Sequence, residues 1–130
     1  MDSAHVTFLD VAATVERVRA AAERLLATDP NVVAVLLFGS LASGDATPAS
    51  DADLLLVLRR DERRVIDRIP DYSRAFEDLG IAIQVLPWTE QEMAERRAER
   101  DPFAKEILKT GKVLAGAVGT GDAGRGKRDG

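Results

Sequence analysis

Cysteine is absent from the 130-residue chain, and histidine occurs once, at His5. Those two shortages exclude disulfides, thiolate zinc sites, redox dithiols and histidine-activated nucleophiles, and they leave carboxylates for any metal chemistry. Long hydrophobic runs are also missing: none approaches the roughly 20 apolar residues that a bilayer span needs. The first residues, with Asp2 and His5 and no basic, apolar leader, do not read as a secretory signal. A cytoplasmic protein without membrane contact is expected. Basic residues are outnumbered, 18 Lys and Arg against 22 Asp and Glu, for a net charge of -4. Direct nucleic-acid binding through bulk electrostatics is therefore not expected, although a local basic groove is permitted. Aromatics are few, and Tyr72, Phe76, Trp88 and Phe103 read as core or partner contacts rather than base-stacking platforms.

With 45% hydrophobic residues, the chain can fill one core and is too short for two, so a single domain over residues 1–115 is expected. Apolar residues from Leu9 to Leu26 recur at helical spacing, preceded by Thr7 and Asp10 at capping-box positions and closed by Thr28-Asp29-Pro30. They predict a helix over 9–27. Val32 to Phe38 is short, β-branched and bounded by Pro30-Asn31, the form of a buried strand, and a second such run follows from Leu54 to Leu58. Between them, Ser40 to Gly44 reads as a short helical turn and Asp45 to Ser50 as a loop.

Further on, Pro70 is expected in the first turn of a helix carrying Tyr72, Phe76 and Leu79 that stops at Gly80. Ile81 to Leu86 reads as a third strand closed by Pro87, Thr89 as the cap of a charged helix with Glu92 in its capping box, and Asp101-Pro102 as the start of a helix ending at Gly111. Val113 and Leu114 could add a last short strand. Six of the ten glycines lie in residues 116–130, which reads as a disordered Gly-rich tail. Its Gly121 to Lys127 matches the GxxxxGK of a phosphate loop, but Arg128 stands where Ser or Thr is required, and no strand enters the segment or helix leaves it.

The chemistry concentrates between Phe38 and Leu58, in the pattern GS-x10-D-x-D. Gly39-Ser40 is the turn out of the first strand. Asp51 and Asp53 stand two apart at the start of the second, and residues i and i+2 of a strand share one face. Both carboxylates can therefore aim at one point, an arrangement suited to a shared pair of divalent ions, which in phosphoryl transfer neutralise phosphates and position the attacking oxygen. Glycine permits close backbone approach to a phosphate, and hydroxyl and N–H groups at the turn can donate to it.

Strand, Gly-Ser turn, short helix and Asp-x-Asp strand, in that order, resemble the DNA polymerase beta-like nucleotidyltransferase superfamily, and in size the chain looks most like its minimal, antitoxin-like branch. The resemblance covers about Val32 to Leu114. It implies an α+β fold, a mixed sheet of three to four strands flanked by helices. It further implies phosphate binding by Gly39, Ser40 and Ser50, and Mg2+, two ions, on catalytic Asp51 and Asp53. The activity implied is transfer of a nucleoside monophosphate, AMP from ATP, to a hydroxyl. Minimal members are often paired with HEPN-type partner proteins as antitoxins, and some adenylylate a tyrosine there.

Two departures stand out. Relatives often carry arginines inside the GSxxxG segment, where this chain has Leu41 and Ser43; Arg59 and Arg60 are the candidates to line the pocket in their place. The superfamily also tends to place a third carboxylate on the next strand, where it would act as a base. Here the position falls on Ala82 or Gln84, and Gln84 is expected to line the pocket. The alternative function is a non-catalytic antitoxin or adaptor of the same fold that covers its partner's surface. The cluster from Arg59 to Arg68 is interleaved with Asp61, Glu62 and Asp67 and reads as a solvated, salt-bridged face.

Overall fold

The computed structural model describes residues 8–43 and 51–118. The elements follow in the order α1 (Phe8–Thr28), β1 (Val32–Phe38), α2 (Ser40–Ser43), β2 (Ala52–Leu58), α3 (Val65–Ser73), a 3-10 segment (Arg74–Leu79), β3 (Ile83–Thr89), α4 (Glu90–Ala98), α5 (Pro102–Thr110) and β4 (Lys112–Gly116). The four strands form one mixed sheet in the order β3-β2-β1-β4. β1 is antiparallel to both β2 and β4, and β2 is parallel to β3.

The near-continuous apolar runs of β1 and β2 are explained by burial on both faces. On one face Val35, Leu37, Leu54, Leu56 and Leu58 pack with Val18 and Ala22 of α1, Tyr72 of α3 and Phe76 of the 3-10 segment. On the other, Ala34, Leu36, Leu55, Val57 and Trp88 pack with Met93 of α4 and with Ala104 and Ile107 of α5. Three layers result, helices on each side of a sheet, as expected.

Local signals place the helices. Thr89 accepts from the Glu92 N–H at 3.1 Å and Glu92 accepts from the Thr89 N–H at 2.9 Å, the reciprocal capping box that starts α4. Asp101 caps α5 through the Phe103 N–H, with Pro102 at its first position. Gly80 ends the 3-10 segment with a φ of 76°, a left-handed stop open to glycine.

Three expectations need correction. Pro70 lies inside α3, not in its first turn: the helix begins at Val65 and tightens into the 3-10 segment after Ser73. β3 runs through Pro87 and Trp88 to Thr89. Proline is tolerated because β3 is an edge strand, and the outward side of Pro87 presents its carbonyl to Arg68 at 3.0 Å. The folded chain also continues beyond residue 115, since Gly116 pairs with Ala34 in β4, the Ala117 N–H reaches Val33 O and Val118 packs against the second core cluster. The expected tail from residue 119, its GxxxxGK match and the Thr7 cap lie outside the described residues.

Candidate active site

One end of the sheet carries a row of register partners across three strands, polar on β2 and β3. Phe38 at the end of β1 pairs with Asp53 of β2, and Asp53 pairs with Gln84 of β3. Register partners share a face, and this is the face that α4 and α5 cover further along, where Leu55 and Val57 are buried. Asp51 stands one strand repeat outward on the same face. Both carboxylates are partly exposed, because the helices that bury the middle of the sheet do not close over its end.

A neighbouring strand restrains each carboxylate. On the β1 side, Gly39 follows Phe38 with a φ of 80°, then α2 begins at Ser40, and the Ala42 N–H returns to Gly39 O at 3.1 Å. A β-carbon built on Gly39 would overlap Asp53 Oδ2 and stand 3.2 Å from its Cγ. Glycine is therefore required twice, for its left-handed backbone and for the room its missing side chain leaves to the Asp53 carboxylate. On the β3 side, Gln84 Nε2 donates to Asp51 Oδ2 at 2.9 Å.

The electrostatics match this geometry. Burial raises the pKa of Asp53 above the usual aspartate range, and the nearby Asp51 carboxylate raises it further. Among the described residues no ion pair involves either group. Two hard oxygen donors that repel each other and lack a paired cation fit a divalent ion. No cluster of three His, Cys, Asp or Glu able to hold a metal occurs among the described residues. A pair of carboxylates is a ligand set that magnesium can accept, with water and substrate phosphate in its remaining positions.

Of the residues singled out in the sequence, Gly39, Asp51, Asp53 and Gln84 come together, with Ser40 at the start of α2; Ser50 lies outside the described residues. Arg59 and Arg60 do not join them. They follow the opposite end of β2, and six residues of strand at about 3.3 Å each put Arg59 roughly 20 Å from Asp53. Arg59 Nε instead donates to Pro30 O at 2.8 Å, and the Arg60 backbone bonds to the Asn31 amide. That far end opens a cavity of about 720 Å³ among Arg59, Arg60, Arg63 and Arg64, but Arg63 is paired with Asp61 and Asp71, and Arg64 with Asp67. The salt-bridged reading of this cluster describes it.

Sequence reasoning missed Arg68 in that cluster, which is buried at 2% exposure. Its guanidinium donates to Arg63 O, Asp61 O, Pro87 O and both oxygens of Glu92. The signal was available: Val65, Arg68, Ile69 and Tyr72 form one helical stripe of i, i+3, i+4 and i+7, with arginine in an otherwise apolar face. Trp88, at 2% exposure, is core, whereas Phe103 is 48% exposed and meets the rings of Phe38 and Trp88 edge-on at 5.9 and 6.0 Å.

No curated protein matches the chain. Among solved structures, a Sulfolobus solfataricus protein described as a nucleotidyltransferase superposes with a TM-score of 0.50 at 24% identity, over 65% of this chain and 75% of that one. A toxin-antitoxin structure with AMP-PNP gives 0.46 at 16% identity, over 79% and 73% of the respective chains. The MntA-HepT toxin-antitoxin gives 0.43 at 14%, over 82% and 73%. Neither of the last two is close enough to bear on the fold. The family profile described as "Polymerase beta, Nucleotidyltransferase" matches residues 21–117, which take in β1, the Gly39-Ser40 turn, Asp51, β2 with Asp53 and the sheet through β4. By that match, extending over most of its length, the chain belongs to the polymerase beta nucleotidyltransferase family.

Proposed function

We propose that this chain is a magnesium-dependent nucleotidyltransferase that moves AMP from ATP to a hydroxyl on a partner protein, as the antitoxin of a toxin-antitoxin pair in the cytoplasm. The observation that carries the reading is the row at the open end of the sheet, where Asp51 and Asp53 share a face beside the Gly39-Ser40 turn. In that role Asp51 and Asp53 hold the metal, which when bound neutralises the triphosphate. Gly39 and Ser40, with Ser50, seat the phosphates, and the Gly39 backbone leaves space for close approach. Attack of the acceptor oxygen on the α-phosphorus forms one P–O bond, breaks the bridging P–O bond and releases pyrophosphate. Gln84 lines the pocket but has no basic atom, so the acceptor's proton goes to solvent water rather than to that strand.

The HEPN-type partner follows from the sequence resemblance, and the half-exposed Phe103 and Val113 offer apolar surface for a protein contact. No helix among the described residues is long and apolar enough to cross a membrane. Incubation with Mg2+, ATP and the protein encoded next to it is expected to add one AMP mass to that partner, and the addition should vanish when Asp51 and Asp53 are both alanine. Gln84 in place of an acid favours a second reading, a binding module that covers its partner without chemistry. A complex that survives the double substitution with no mass ever added would select it.

A further inference from the structure

We infer that Gln84 is a positioning residue for Asp51, fixing the direction in which that carboxylate offers an oxygen to a divalent cation. The inference rests on the reading that Asp51 and Asp53 hold the cation. Gln84 is the register partner of Asp53, yet its amide passes that neighbour and donates to Asp51 Oδ2 at 2.9 Å. The bond is diagonal, within the reach of a long side chain across one strand repeat. Burial does not demand it, since Gln84 is exposed on an edge strand where water could satisfy the amide. Its effect is to hold one oxygen of Asp51 toward β3 and leave the other unrestrained by that amide. On the opposite side of β2, the bare α-carbon of Gly39 gives room to Asp53 Oδ2. The two carboxylates are thus set from two different strands, Asp53 by space and Asp51 by a donor.

A carboxylate left free to rotate loses cation affinity because its orientation must be fixed on binding, and removal of a ligand's hydrogen-bond partner typically weakens metal binding by about 10–100-fold. The inference makes a separate statement about Gln84→Glu. An acid at this register position would stand beside both aspartates and supply a third oxygen ligand on the same face.

The test is a Mn2+ titration of the full chain without nucleotide, followed by water-proton relaxation, with thermal melts to check folding. The panel is wild type, Gln84→Ala, Gln84→Glu, Asp51→Asn and the Asp51→Asn/Gln84→Ala double variant. Gln84→Ala is expected to weaken Mn2+ binding on the order of tenfold, and Gln84→Glu to bind more tightly than wild type. The double variant should bind no worse than Asp51→Asn alone, because the amide acts only through Asp51. Wild-type affinity in Gln84→Ala, or a further loss in the double variant equal to that in the single one, would overturn the inference. If wild type bound Mn2+ no better than Asp51→Asn, the cation reading would fall first and the role of Gln84 with it.

Discussion

Replacing Gly39 by alanine would bring two penalties together at one atom. A side chain at a φ of 80° costs about 1 kcal/mol, and the new methyl group would occupy the space of the Asp53 carboxylate. The carboxylate is the outer part of a flexible side chain, so it can swing away and the fold survives. Gly39→Ala is expected to unfold in denaturant with a loss of about 1–2 kcal/mol, while Mn2+ affinity falls on the order of tenfold. Preserved affinity would show that the carboxylate binds from another position. Asp53 yields a prediction of opposite sign for stability. Its folded pKa is raised by burial and by Asp51, so its charged form opposes folding at neutral pH, and that opposition fades as the pH falls from the raised value through the ordinary aspartate range. Asp53→Asn should therefore melt higher than wild type at pH 7, with the gain disappearing in acid. A lower melting temperature at pH 7 would mean that the charge is structural.

At the scale of elements, the polar contacts of the crossover from β2 to β3 converge on one buried side chain. Arg68 ties α3 to the loop carbonyls of Asp61 and Arg63, to the outer edge of β3 at Pro87 and to Glu92 of α4. Arg68→Ala would strand those carbonyls and the Glu92 carboxylate, which is itself one third exposed and retains its bond from Thr89. A loss of about 3 kcal/mol in denaturant unfolding is expected; a change below about 0.5 kcal/mol would place it among ordinary surface residues. The partners of these arginines also set a pH response. Glu92, bonded to Arg68, and Asp61, bonded to Arg63, both have pKa values lowered from the carboxylate range. Their stabilisation is complete above that range and is lost as the pH falls through the lowered values, so acid unfolding measured by circular dichroism should be shallower in Arg68→Ala.

Across the whole molecule, what could be read from the chain was what local chemistry dictates. The apolar runs of β1 and β2, the Thr89-Glu92 box, the Asp101-Pro102 start and the Gly80 stop each declare themselves within a few residues. The shared face of Asp51 and Asp53 followed from strand alternation alone. What escaped was long-range. Arg59 and Arg60 look close to Asp53 in the chain, but a seven-residue strand carries them to the other end of the sheet. Pro87 reads as a terminator unless β3 is known to be an edge, and the helical stripe that holds Arg68 does not name its partner, Glu92, 24 positions later. The room that Gly39 leaves for Asp53 exists only once two antiparallel strands are in register. The parallel pairing of β2 with β3 has one more consequence. Closure of β1 on β2 sets the two acids beside the Gly39 turn, whereas the glutamine clamp lies beyond the intervening helix and its 3-10 extension in the chain. A polypeptide halted at Gly80 during synthesis would carry both acids and the Gly39 turn but lack the donor to Asp51, so its full grip on a cation would wait for β3.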